Sequence, residues 1–228
     1  NHLMATDAAY KLEYEARKIR TRKLTNSGAV ADKMATVYTV PVVVHIMHNG
    51  PKAGDDVYNV TDAQVYSAIA AMNEDFRKMA GTNGDGAGVD TEIEFCLAVR
   101  DPNGDPTNGI NRVDASGVTN YETGGIDEPA GAGVADGGDV KALSWWDNLK
   151  YVNIWVVNEI DNNNGGSGTQ GYAYPPVGPS QYGVDGIVIL YNAFGTTGPN
   201  LKSYTNMGRT LTHEMGHVLD LKHTFQGG

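Results

Sequence analysis

The stretch Leu211-Thr212-His213-Glu214-Met215-Gly216-His217-Val218-Leu219-Asp220-Leu221-Lys222-His223 decides how this chain is read. Leu211, Met215 and Val218 recur at helical spacing, so a helix starting near Asn206 as its N-cap turns one stripe to a core. His213 and His217 fall roughly opposite that stripe. Imidazoles at i and i+4 sit about 5–6 Å apart at Cβ, close enough for both to reach one metal ion at ordinary zinc–nitrogen distances. Glu214 is rotated by about 100° from His213. It is badly placed to ligate the same ion and well placed to act as general base on a water bound to it.

His223 lies six residues beyond His217, and a continuing helix would carry it away from the metal. The helix must stop and the chain must turn sharply near residue 220. A left-handed backbone does this, usually at Gly and less often at Asn or Asp, so Asp220 reads as a turn-maker and not as a ligand. Three histidines leave one zinc position open, which is the catalytic arrangement.

Upstream the pattern is that of an α/β (α+β) domain. Val37–Met47 is a Val-rich apolar run suited to a strand buried on both faces. Thr61-Asp62-Ala63-Gln64 reads as a capping box. Val65, Ile69, Met72, Phe76 and Met79 behind it predict an amphipathic helix over 62–80. Further strands are expected at Glu92–Arg100, Tyr151–Asn158 and Gly186–Tyr191, with Gly171–Tyr174 as a short edge strand. Residues 1–36 differ in character: a helix-prone stretch from Ala8 to Lys23 carries Leu12 and Ile19 and ends in Arg17, Lys18, Arg20, Arg22 and Lys23. A solvated helix is enough to account for that charge run; the sharper reading is a leader or pro-segment-like tail with a cleavable basic site, ahead of a catalytic domain over 37–228.

The 228 residues include 29 Gly and carry a net charge of −10. Such a charge disfavours nucleic acid as a partner, since phosphate neutralisation needs clustered Lys and Arg. No window is apolar enough to span a bilayer. The single Cys96 is expected to be a buried thiol or the partner of a cysteine elsewhere. His45 and His48, three apart on a strand, face opposite sides, so His45 reads as a core histidine. Asp101, Asn103 and Asp105 mimic part of a calcium loop, but Pro106 and Arg112 stand where Gly and Glu are needed, which leaves a turn. Trp145 and Trp146 are expected to anchor a loop to the core.

His213–His223, extended by Thr224-Phe225-Gln226-Gly227-Gly228, resembles the long zinc motif of the metzincins, and with Pro41–His45, Asn73–Arg77 and Glu94–Ala98 it is similar to the pappalysin/cytophagalysin peptidases. The resemblance covers the chain from about Tyr38 onward and departs from the usual pattern at Asp220, where most relatives carry Gly. It implies a metzincin-like twisted mixed sheet backed by a helix, with an active-site helix carrying the zinc motif. It also implies a secreted zinc endopeptidase acting on an extended peptide or protein, with one catalytic Zn2+ on His213, His217 and His223 and a water activated by Glu214. A Met-turn and a transition-state tyrosine are expected beyond residue 228, so residues 37–228 read as the N-terminal subdomain of that catalytic domain. Calcium at Asp136-Gly137-Gly138-Asp139 or Asn162–Asn164 is a further possibility of the resemblance. The competing classes are another zinc hydrolase, such as a thermolysin-like enzyme with a downstream Glu ligand, and a non-catalytic binding module, against which an intact Glu214 argues.

Overall fold

The computed structural model describes residues 8–26, 36–50, 57–127, 135–163, 166, 168–174 and 185–225. Its centre is a six-stranded mixed sheet. Strand β1 (Tyr38–His48) runs through the middle, and its Val-rich run is buried on both faces from Val42 to Met47. Along one edge β1 pairs in parallel with β2 (Ile93–Leu97) and then with β3 (Ile110–Asp114). Along the other it pairs in parallel with β6 (Val152–Val157), which pairs with β8 (Gly186–Leu190). Strand β7 (Gly171–Tyr174) closes that side antiparallel to β8. Parallel strands covered on both faces are apolar at successive positions, as Val42–Val44 of β1, Ile154–Val157 of β6 and Gly186–Leu190 of β8 are.

One face packs on two helices. Val42, Val44, Ile46, Ile154, Val156, Ile187 and Ile189 meet Val65, Ile69, Met72 and Phe76 of α2 (Asp62–Phe76) and Leu211, Met215 and Val218 of α5 (Arg209–Val218). Each such side chain contributes about 1.5–3 kcal/mol by leaving water. The opposite face is covered by Tyr121 of α3 (Tyr121–Gly124), Val140 of α4 (Gly137–Ala142) and Ile126 of a two-stranded sheet, β4 (Ile126–Asp127) with β5 (Ala135–Asp136). Helix α1 (Ala8–Asn26) leaves both Leu12 and Ile19 exposed.

Several expectations are corrected. Helix α2 ends at Phe76, not at residue 80, because Lys78 turns left-handed (φ 47°) and Met79 is exposed. Thr61 does cap it by accepting from the Gln64 amide. Gln64 does not return the favour: its side chain donates instead to the Tyr191 and Phe194 carbonyls. Helix α5 begins at Arg209 behind a left-handed Gly208 (φ 73°) with no side-chain cap, so Asn206 does not serve. Cys96 is exposed, since strand alternation turns its neighbour Phe95 inward. Strands β3, β4 and β5 and the short helices α3 and α4 had no periodicity long enough to be read.

Candidate metal centre

Helix α5 is amphipathic in the required sense. Leu211, Met215 and Val218 are buried, His213 is exposed and His217 half-buried. The helix then ends as the third histidine demands. Asp220 is left-handed (φ 71°), its N–H donates to the His217 carbonyl at 3.0 Å, and the Leu221 N–H donates to the Gly216 carbonyl at 2.9 Å. This pair of bonds is a Schellman motif with Asp220 at the position usually held by Gly. The reversal carries His223 back over the helix.

The three rings converge on one point. Nε2 of His213 lies 3.0 Å from Nε2 of His223, and Nε2 of His217 lies 3.1 Å from each of the other two. A tetrahedral zinc with ordinary nitrogen distances needs ligand atoms about 3.3 Å apart, so the residues present fit the ion with adjustments of a few tenths of an ångström. The Nδ1–H of His217 donates to the Leu221 carbonyl at 2.7 Å, which fixes the tautomer and leaves Nε2 with its lone pair toward the cluster. Burial and the neighbouring imidazoles push the His213 pKa down, favouring the neutral ring a metal requires. Among the described residues this is the one group of three or more His, Cys, Asp or Glu side chains able to hold a metal.

Glu214 points elsewhere than its neighbours. It is buried, and burial alone pushes its carboxyl up to about 7. Beside the histidines opens a cleft of about 510 Å³, lined by Phe76, Thr212, His213, His217, Leu221 and Phe225 among others. Phe225 stacks on His223 with ring centroids 4.9 Å apart.

Other candidates sort clearly. His45 is fully buried, 5.5 Å from Trp155 in a stacked pair, and takes no part in the cluster. Asp101 uses its Oδ1 to accept from the amides of Asn103 and Asp105, closing a turn. Trp146 bonds through its backbone N–H and carbonyl to the side chain of Asn153 and meets His45 edge-on, anchoring its loop as expected. Of the two calcium segments, Gly137–Ala142 is helical with Asp139 in its first turn, while the Asp136 side chain and Asn164 lie outside the described residues. The residue that sequence reasoning missed is Asp75. Its Oδ2 accepts from Thr212 Oγ1 at 2.8 Å and pairs with Arg209 Nε at 3.0 Å, which seats the first turn of α5 on the end of α2. Its only signal was its place in the segment Asn73–Arg77.

A mixed sheet, a helix carrying two histidines and a left-handed stop that returns a third define a metallopeptidase fold of the metzincin class. The comparisons agree. A family model described as pregnancy-associated plasma protein-A matches residues 133–228. An extracellular metalloprotease of Colletotrichum graminicola is 27% identical over 217 residues, which is 93% of this chain and 61% of that protein. One from Podospora anserina is 46% identical over 83 residues, 35% of this chain and 25% of that protein. Among solved structures, mirolysin in complex with a compound designated 9 is 35% identical at a TM-score of 0.65, over 84% of this chain and 66% of that one. A promirolysin mutant of Tannerella forsythia is 31% identical at a TM-score of 0.61, over 97% of this chain and 67% of that one. The chain belongs to the pregnancy-associated plasma protein-A (pappalysin) family of metallopeptidases, and it spans about three-fifths of the length of the Colletotrichum relative.

Proposed function

We propose that this chain is the zinc-bearing part of a secreted endopeptidase, in which His213, His217 and His223 hold one Zn2+ and Glu214 is the general base. The observation that carries the reading is the triangle of Nε2 atoms 3.0–3.1 Å on a side. Zinc held there supplies a Lewis acid and a water of lowered pKa. Glu214 takes the proton of the attacking water and passes it to the leaving amine. An extended peptide finds a place along β7, the last strand in the sheet order.

Secretion is supported by relatives named as extracellular. No helix of the described residues is long and apolar enough to cross a membrane. Residues 37–228 then belong to the catalytic domain as its zinc-bearing part, with residues 1–36 preceding it as a segment cut within its basic run. N-terminal sequencing of the secreted product checks that cut, and an intact helix α1 in it counts against the cut. For the chemistry, Glu214→Ala in the full-length protein is expected to abolish cleavage of a protein substrate while one zinc per chain remains bound. Retained cleavage sinks the general-base role.

A further inference from the structure

The residue facing Glu214 across the contact between α5 and the sheet is a glycine. Gly171 opens β7 and stands opposite Ile189 in the antiparallel register. A Cβ placed on it would lie 3.0 Å from the Val188 carbonyl oxygen, 3.2 Å from Cγ of Glu214 and 3.5 Å from Cγ2 of Thr210. Carbon atoms in good contact keep about 3.5–4.0 Å, so even one methyl group forces Glu214 to give way. Thr210 and Glu214, four residues apart, share the α5 face that meets β7. Gly171 is not among the residues with a left-handed backbone. Its conformation therefore does not call for glycine. Close approach is the remaining reason.

We propose that Gly171 is a positioning residue for Glu214: its missing side chain lets β7 close on α5 and seat the stem of that glutamate beneath the strand along which substrate lies. This rests on the reading of Glu214 as general base. The strand that aligns the peptide and the residue that activates the water are thereby held at one fixed separation.

The test is a double-mutant cycle in the full-length, zinc-loaded protein, comparing wild type, Gly171→Ala, Glu214→Ala and the double variant by urea midpoint. Gly171→Ala is expected to lower the midpoint, and the drop to shrink by at least about half when Glu214→Ala has removed Cγ. An equal drop in both backgrounds assigns the constraint to the Val188 carbonyl and overturns the proposal. If Gly171→Ala fails to fold, a folded double variant supports the coupling and an unfolded one overturns it. Kinetically, Gly171→Ala is expected to lower kcat about tenfold or more with KM changed by less than about twofold. A raised KM with unchanged kcat overturns it in favour of a role in holding peptide. A wild type that cleaves no peptide removes the general-base reading, while the midpoint cycle still decides whether Gly171 and Glu214 are coupled.

Discussion

His217 donates its Nδ1–H to the carbonyl of Leu221 at 2.7 Å, and that carbonyl is where it is because Leu221 N–H is bound back to the carbonyl of Gly216. The bond that ends helix α5 and the bond that orients a ring of the histidine cluster therefore share one residue. The left-handed turn at Asp220 does two things at once: it returns His223, and it presents the carbonyl that sets the tautomer of His217.

Asp220 pays a conformational penalty for this that glycine does not. A non-glycine residue held left-handed costs about 1–2 kcal/mol, less for Asp than for most. Asp220→Gly is expected to stabilise the protein by up to about 1 kcal/mol. Asp220→Val, β-branched at φ 71°, is expected to destabilise it by more than about 1 kcal/mol and to weaken zinc binding. Urea midpoints and zinc titration of the two variants check this. Equal stability of the two would show that the turn is not strained.

Metal binding should be visible as stability. A ligand bound only by the native state adds about 2.7 kcal/mol when free ligand is a hundredfold above its dissociation constant. Chelation is expected to lower the melting temperature of the zinc-loaded protein and to stop peptide cleavage. His223→Ala should melt at a temperature nearly independent of added zinc. A His223→Ala variant that responds to zinc as the wild type does would remove His223 from the ligand set.

His45 predicts an acid-sensitive fold, independent of the metal. Its Nε2–H donates to Asn153 Oδ1 at 3.0 Å, and its Nδ1 accepts from Asn111 Nδ2 at 3.1 Å. Asn153 is itself oriented by the Trp146 backbone, so it offers His45 an oxygen. The ring is thus held neutral, and burial lowers its pKa to about 4. In the unfolded chain the same ring titrates near 6.5. Between those values the unfolded state binds a proton that the native state refuses. Stability should fall by about 1.4 kcal/mol per pH unit from 6.5 down to 4, roughly 3 kcal/mol in all, with no contribution above pH 7. His45→Gln cannot titrate, so its urea midpoints should lose that slope relative to wild type. Parallel pH profiles would falsify the assignment.

Where the sequence was legible, one residue's chemistry or a long period carried the message. The Val-rich run Val37–Met47 suited a doubly covered strand, and the turn at Asp220 followed from where His223 has to go. What escaped reading depended on distant partners. Gln64 looked like half of a capping box, yet two carbonyls more than a hundred residues away compete for its amide and win. Asn206 looked like a cap, but Asp75 on another helix fixes the start of α5. Strand β3 is five residues with mixed polarity, and only its register with β1 makes it a strand. Cys96 sits in an apolar segment whose alternation points it outward, a phase that five residues could not announce.

Asp75 gives the remaining prediction, because its carboxylate ties the end of α2 to the uncapped start of α5. Its side chain is 10% exposed and meets both Thr212 Oγ1 and Arg209 Nε, while Arg209 also reaches the Asn83 carbonyl. A carboxylate near a helix N-terminus is further favoured by the helix dipole. Asp75→Ala strips the partner from a half-buried hydroxyl and a guanidinium, and should cost about 1–3 kcal/mol. Thr212→Val removes one of the two contacts and should cost about 1 kcal/mol. Since both variants delete the same bond, the double variant should be less destabilised than the sum of the singles. The proposed zinc ligands begin only at His213, and the Schellman stop lies at the far end of the helix, so zinc stoichiometry should stay at one per chain in all three. Additive losses in the urea midpoint would mean that Asp75 acts through Arg209 alone.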